Sequence, residues 1–291
     1  MVLTTNGVLG GLLQEDDGKT SAQRFTSEDG VANVRGRVLG GSSMINVGFY
    51  SKPDDQFYNE FGMHSDMDAG RISDSKGQLS AGAIGSPQLI FLSGVGPLPY
   101  LLSHKVRVVS QNADVGNFMT DNPCNIINIV VPFALAPSVG QVVGIISDFN
   151  YIEPFSRPLS SGSLRLVSSA DIKVNPTVRF NYFKDPKDLS RCLRGTRLLS
   201  GMLKTNAMEG LKFEYLEGAE GFTFLGPSLP RNLANDASME MFSRSTLMTF
   251  WHYHGGCLVG KVVDVDLRVV GTNSLRVVDG SILNTSPGTN P

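Results

Sequence analysis

The chain has 291 residues, 41% of them hydrophobic and 18% charged, with a formal charge of −2, the profile of a globular protein of one large or two smaller domains. With 25 Lys and Arg against 27 Asp and Glu and no basic run, it lacks the electrostatic footprint of a protein that binds nucleic acid or docks on an anionic membrane, and no stretch is long enough to span a bilayer. Three widely spaced cysteines, Cys124, Cys192 and Cys257, exclude a disulfide framework, while 32 glycines without a collagen or low-complexity period point to many tight turns and close backbone approaches.

Residues 1–13 have no basic start and only a short apolar run before Gln14-Glu15-Asp16-Asp17, so they are read as neither signal peptide nor membrane anchor. A polar, turn-rich stretch follows. It leads to Arg37-Val38-Leu39-Gly40-Gly41-Ser42-Ser43-Met44-Ile45-Asn46. Paired glycines followed by serines can turn successive N–H groups inward and cap a helix, which suits a phosphate or other anion; a plain glycine turn is the competing reading.

The next unit is Leu79-Ser80-Ala81-Gly82-Ala83-Ile84-Gly85-Ser86-Pro87-Gln88-Leu89-Ile90-Phe91-Leu92-Ser93-Gly94. It predicts a strand ending near Ala81 and a short apolar helix with Ser86 as N-cap, Pro87 at its first position and Gly94 just past its end. Residues 98–105 read as helix and 106–110 as strand. The loop 114–123 is rich in glycine and asparagine, residues 125–133 are apolar and β-branched, and 134–140 break the run at a plausible domain crossing.

Residues 163–168 and 177–182 are expected to be strands around an Asn175-Pro176 turn. Asp185-Pro186 then starts a helix whose apolar face carries Leu189, Cys192, Leu193, Leu199, Met202 and Leu203. Residues 235–247 read as another helix. The runs 267–270 and 275–278 are strand-like around a turn, and the second ends in Asp279-Gly280-Ser281. Asp279 is open to two readings there, a ligand contact or a cap for the next turn.

The stretch most suggestive of chemistry is Thr249-Phe250-Trp251-His252-Tyr253-His254-Gly255-Gly256, which holds two of the four histidines. If it is extended, His252 and His254 share one face and Trp251 and Tyr253 the other. Imidazole moves protons near neutral pH, and the glycine pair would let a flat ligand approach the backbone. Two other readings stay open from these residues alone: polar groups satisfied inside a core, and a metal site of His252, His254 and Cys257 without a second ligand cluster nearby.

Taken in order, these pieces resemble one family. Residues 37–46 are similar to the first signature of the glucose–methanol–choline oxidoreductases, and residues 80–89 to the second. Residues 251–256 with 275–281 look like that family's C-terminal active-site region. The closest likeness is to the plant branch of mandelonitrile lyases and HOTHEAD-like proteins, over most of residues 20–291.

The resemblance implies a mixed α/β fold. A partial Rossmann-like FAD-binding domain (residues 1–115 and 255–291) would meet an antiparallel-sheet substrate-binding domain (116–254). It places the catalytic histidine at His254, the second active-site position at Asn290 and a supporting role at His252. Arg37, Val38, Gly40, Gly41, Ser42, Asn46, Asp279, Gly280 and Asn290 fall at cofactor-binding positions for FAD, and no metal is implied. The partner is a small-molecule alcohol or cyanohydrin. For an alcohol, His254 accepts the hydroxyl proton while hydride leaves for the flavin, and Asn290 positions the hydroxyl. A mandelonitrile lyase instead expels cyanide, and such lyases carry histidine where this chain has Asn290, which favours the oxidoreductase.

Three departures temper that expectation. The family's opening Gly-x-Gly-x-x-Gly turn for the FAD pyrophosphate is not found, the interior is short near residues 67–79 and 155–162, and the sequence stops at Pro291 where relatives continue into a helix. A truncated, non-catalytic member that holds little flavin is therefore the rival expectation. Plant members of the family suggest a secretory route.

Overall fold

The computed structural model describes residues 16–39, 41–45, 77–134, 157–213, 221–249 and 251–287. Two strands, β1 (Ala22–Thr26) and β2 (Ala32–Gly36), form an antiparallel hairpin in register from Ala22 opposite Gly36 to Thr26 opposite Ala32. The strand β3 (Gly77–Leu79) then runs into helix α1 (Gly82–Leu92), as the sequence predicts in outline.

The helix begins four residues before the predicted cap. Ser86 does tie the helix start, but from inside: its hydroxyl accepts the Ala81 N–H at 3.1 Å and donates to Asp279 Oδ2 at 2.5 Å. Pro87 accordingly sits within α1. Ala83, Ile84, Ser86, Pro87, Gln88, Ile90 and Phe91 are all buried, so the helix is enclosed rather than amphipathic. Its end matches the prediction: Gly94, at φ +87°, donates to the Phe91 carbonyl at 2.9 Å.

Strand β4 (Val95–Gly96) and helix α2 (Leu98–Ser103) follow, and β4 pairs in parallel with β5 (Ser110–Gln111). The strand expected over residues 106–110 is thus confined to its last residue and the next. Strand β6 (Asn117–Met119) lies inside the glycine- and asparagine-rich loop; β7 (Pro123–Asn125) and β8 (Ile129–Val130) divide the β-branched run.

Antiparallel pairing dominates the middle of the chain. Strands β9 (Gly162–Arg165) and β10 (Thr177–Arg179) form the expected pair and join β6 in the order β10–β9–β6. Strand β11 (Thr223–Phe224) pairs with β8, and β12 (Leu247–Thr249) with β7. Between them, helix α3 (Pro186–Leu203) starts on an Asp185 cap that accepts the Lys187 N–H at 2.9 Å, and helix α4 (Asp236–Ser245) on an Asn235 cap that accepts the Ser238 N–H at 3.0 Å. The buried face of α3 carries Cys192, Leu193 and Leu203, and also Asp188. Its carboxylate is buried because it accepts the N–H groups of Leu159 and Ser160, at 3.0 and 2.7 Å.

Strand β13 (Leu275–Val277) closes the fold by pairing in parallel with β3, and the Val278 N–H continues the ladder to the Leu79 carbonyl at 2.9 Å. Two segments nearly 200 residues apart in sequence therefore end side by side at the start of α1. One apolar cluster lies beneath, including Ile90, Phe91, Leu101, Met119, Leu164, Val263 and Val277, all fully buried. Each large member contributes about 2–3 kcal/mol by leaving water.

Candidate active site

The histidine stretch enters this core through a kink. Strand β12 stops at Thr249, and Trp251 takes φ +61°, a left-handed conformation that a bulky residue adopts only under constraint. Its N–H donates to Thr249 Oγ1 at 2.7 Å. The kink breaks the strict alternation expected of an extended strand, so the two histidines do not share a face by strand periodicity. From His254 onward the backbone is clamped on both sides. His254 exchanges two hydrogen bonds with Thr120, at 2.8 and 2.9 Å, and the N–H groups of Gly255 and Cys257 donate to the Gly280 and Ser281 carbonyls at 3.1 and 2.9 Å.

The glycine pair serves this packing. Gly255 and Gly256 have φ of +88° and +94°. A Cβ at Gly255 would lie 2.1 Å from the Phe118 carbonyl oxygen, and one at Gly256 2.7 Å from Pro87 Cγ. The space that the sequence suggests for a flat ligand is filled by the protein itself.

His254 is 1% exposed. Its Nδ1 lies 3.0 Å from the His252 carbonyl oxygen, which can only accept, so Nδ1 carries the proton and Nε2 holds a free electron pair. Nε2 is buried and has no hydrogen-bond partner among the described residues. Burial lowers the imidazole pKa below its ordinary value, and the bond to the carbonyl only partly opposes this. The ring is therefore a neutral base at neutral pH. His252 sits beside it in a different role: its Nδ1 is 3.3 Å from Asn122 Nδ2, and Asn122 also donates to Ser286 Oγ at 3.2 Å. Tyr253 anchors the segment, stacking on Phe180 and meeting Phe25 edge-on, with its hydroxyl donating to the Val34 carbonyl of β2.

The predicted cofactor positions fall into two groups. Arg37 pairs with Asp16 at 2.7 Å, and its guanidinium holds the Asp16 carboxyl well below the usual range. The Val38 carbonyl accepts the Gly41 N–H at 2.9 Å, and Ser42 Oγ accepts the Gly36 N–H at 3.0 Å. A short 3-10 turn, Gly41–Ile45, follows with its serines exposed. The Arg37 N–H also donates to the Ser21 carbonyl at 2.6 Å, so the described part of this loop is tied both within itself and to the chain ahead of β1. Gly40, Asn46 and Asn290 lie outside the described residues.

At Asp279 the structure shows the cap. Its carboxylate accepts the Ser281 N–H at 2.8 Å, and it ties the start of α1 through the Gly82 N–H at 3.1 Å and the Ser86 hydroxyl. Gly280 contributes its carbonyl to the Gly255 N–H, so both residues support the histidine segment from behind.

Sequence reasoning did not find the segment Thr120-Asp121-Asn122, which touches the histidine stretch at each residue, nor Tyr182, whose hydroxyl donates to the Asp121 carboxylate. Nothing in composition marks a buried carboxylate within a glycine-rich loop. Buried polar atoms lacking a partner among the described residues gather here: Asn122 Oδ1, Trp251 Nε1, Ser281 Oγ and His254 Nε2. Each costs about 1–3 kcal/mol if left unpaired, so a polar ligand beside His254 fits the site. Among the described residues, no group of three or more His, Cys, Asp or Glu is placed to hold a metal ion, and no helix is long and apolar enough to cross a membrane.

Comparison with known proteins bears on the family and the fold. The family model described as GMC oxidoreductase matches residues 158–291. The (R)-mandelonitrile lyase 1 of Prunus serotina is 34% identical over 433 residues, covering 100% of this chain and 77% of that protein. The sinalpyl alcohol oxidase Nec3 of Nesocodon mauritianus is 32% identical, covering 100% of this chain and 79% of that protein. Both alignments are longer than the 291 residues of this chain, so they carry long gaps. Among solved structures, an FAD-dependent oxidoreductase from Chaetomium thermophilum superposes with a TM-score of 0.60 at 17% identity, over 73% of this chain and 52% of that one. The chain thus spans about half the length of that structure, whose likeness is one of fold.

Proposed function

The chain belongs to the GMC oxidoreductase family, and we propose that it is an FAD-dependent oxidoreductase of small-molecule alcohols in which His254 is the general base. The observation that carries this reading is the buried His254 Nε2, unprotonated and facing no described partner. An alcohol hydroxyl set at hydrogen-bond distance from Nε2 gives up its proton there, and the developing alkoxide releases hydride from its carbon. FAD, when bound, supplies the acceptor for that hydride. Asn290 would hold the hydroxyl from the opposite side, and His252 with Asn122 would support the base. Residues 37–46 and the backbone at 279–280 would approach the cofactor. Residues 1–115 with 255–291 would form its domain, and 116–254 the substrate domain.

The likeness to mandelonitrile lyases supports a second reading of the same base. There His254 takes the hydroxyl proton of a cyanohydrin, the C–CN bond breaks, and cyanide leaves with the electron pair as the carbonyl forms. Asn290 favours the oxidoreductase, because an amide cannot become the cation that would assist cyanide departure. The purified chain, reconstituted with FAD, separates the readings. Anaerobic bleaching of the flavin by a panel of alcohols, without cyanide release from mandelonitrile, is the expected result. Cyanide release without bleaching would establish the lyase instead, and failure to retain FAD would overturn the oxidoreductase reading.

A further inference from the structure

Behind the base lies a buried anion that the reaction does not touch. Asp121 is 2% exposed and follows Thr120, the backbone partner of His254. The Tyr182 hydroxyl donates to its Oδ2. The Thr249 hydroxyl and the N–H groups of Asn122 and His252 face the carboxylate, although no described donor completes a hydrogen bond to Oδ1. Thr249 and His252 are the two ends of the kink at Trp251, and the Trp251 N–H is itself held by Thr249 Oγ1. A carboxylate taken so far from water persists only where several donors converge on it. Here those donors bracket the left-handed residue.

We propose that Asp121 is the positioning residue for His254. It fixes residue 252 through the kink, so that the His252 carbonyl holds the His254 imidazole in the tautomer that leaves Nε2 open. The proposal rests on His254 acting as the base, but its structural core does not require turnover. The path runs through neighbours: the carboxylate, fixed by the Tyr182 hydroxyl, faces Thr249 and the His252 N–H, and the His252 carbonyl, on the far side of the same residue, receives the Nδ1 proton of His254 at 3.0 Å. Thr120 and Asn122 on either side secure His254 and His252, which makes residues 120–122 one clamp. The titratable groups facing Asp121 are Tyr182, Tyr253 and Cys124, while the His252 ring meets the adjacent Asn122. Burial raises the Asp121 carboxyl to about 6, and its surrounding donors keep it from rising further. Above that pH it is an anion.

Histidine ring-nitrogen NMR on the full chain tests this directly, with the His254 signals identified by their loss in H254Q. The wild type is expected to show His254 as a single Nδ1–H tautomer at pH 7.5. Asp121→Asn keeps the volume but removes the charge that gathers the donors, and is expected to give a mixture of tautomers. With FAD bound it should lower kcat by up to about 100-fold while leaving KM within about two-fold. An unchanged single tautomer in D121N would overturn the proposal, whatever the activity does. If D121N does not fold, Thr249→Val decides, because it keeps the carboxylate and cuts its link to the Trp251 N–H. A mixed His254 tautomer in T249V supports the proposal and a single one sinks it. Loss of alcohol-dependent flavin bleaching in the wild type, with the tautomer shift intact, would refute the general-base reading and leave the clamp standing.

Discussion

The glycines at 255 and at 41 share a left-handed backbone, yet their surroundings are opposite. Gly255 lies in the core with the Phe118 carbonyl where its side chain would be, whereas a Cβ added to Gly41, at φ +65°, would meet nothing within 4 Å. The segment around Gly255 is held by Thr120, Gly280 and Ser281, and it carries a base kept neutral by burial. The loop around Gly41 is exposed and satisfied by its own groups, through Ser42 and Val38. The first is preorganised by tertiary packing. The described part of the second is held by bonds within itself and by Arg37, which pairs with Asp16 and donates its N–H to the Ser21 carbonyl. Proton transfer profits from the first condition, since a fixed geometry and a low dielectric strengthen each interaction with the base.

Substitutions at the two glycines break or sharpen that contrast. Gly255→Ala combines an unfavourable φ with a clash against backbone that cannot retreat, and is expected to cost about 3–5 kcal/mol in urea unfolding, enough to leave much of the chain unfolded. A loss below about 1 kcal/mol there would mean that the core clamp is soft. Asp279→Ala removes the acceptor shared by Gly82, Ser86 and Ser281, and should cost about 2 kcal/mol by the same measurement. Gly41→Ala meets no atom and bears only the backbone preference, so about 1 kcal/mol is expected. Equal losses at Gly41 and Gly255 would erase the distinction.

Legibility in the sequence followed the same divide. Helix starts at Asp185 and Asn235, the strand pair around Asn175-Pro176 and the stop at Gly94 were readable because caps and turns are local chemistry. His254 could be singled out as a candidate because two histidines stand beside a glycine pair, while a histidine satisfied in the core stayed an open reading of the same residues. What was not readable depends on distant partners. The hydroxyl of Ser86 looks like a helix cap until Asp279, 193 residues away, draws it into the interior of α1. Trp251 looks like a strand residue until its left-handed backbone turns its N–H onto Thr249 Oγ1. Asp121 itself lies in a loop whose composition promises solvent, and donors distant in sequence, the Tyr182 hydroxyl first among them, make its burial tolerable.

The central claim is that His254 is a neutral base, and it is tested most directly by the pH dependence of anaerobic flavin bleaching with a saturating alcohol. Because burial lowers the imidazole pKa, the base is lost only on acidification below its ordinary value of 6.5. The bleaching rate should therefore rise with pH to a plateau, with an apparent pKa below 6.5, and His254→Ala should reduce the plateau by about 100- to 10,000-fold. A His254→Ala variant that bleaches at the wild-type rate, or a wild-type profile still climbing well above pH 7, would contradict the account.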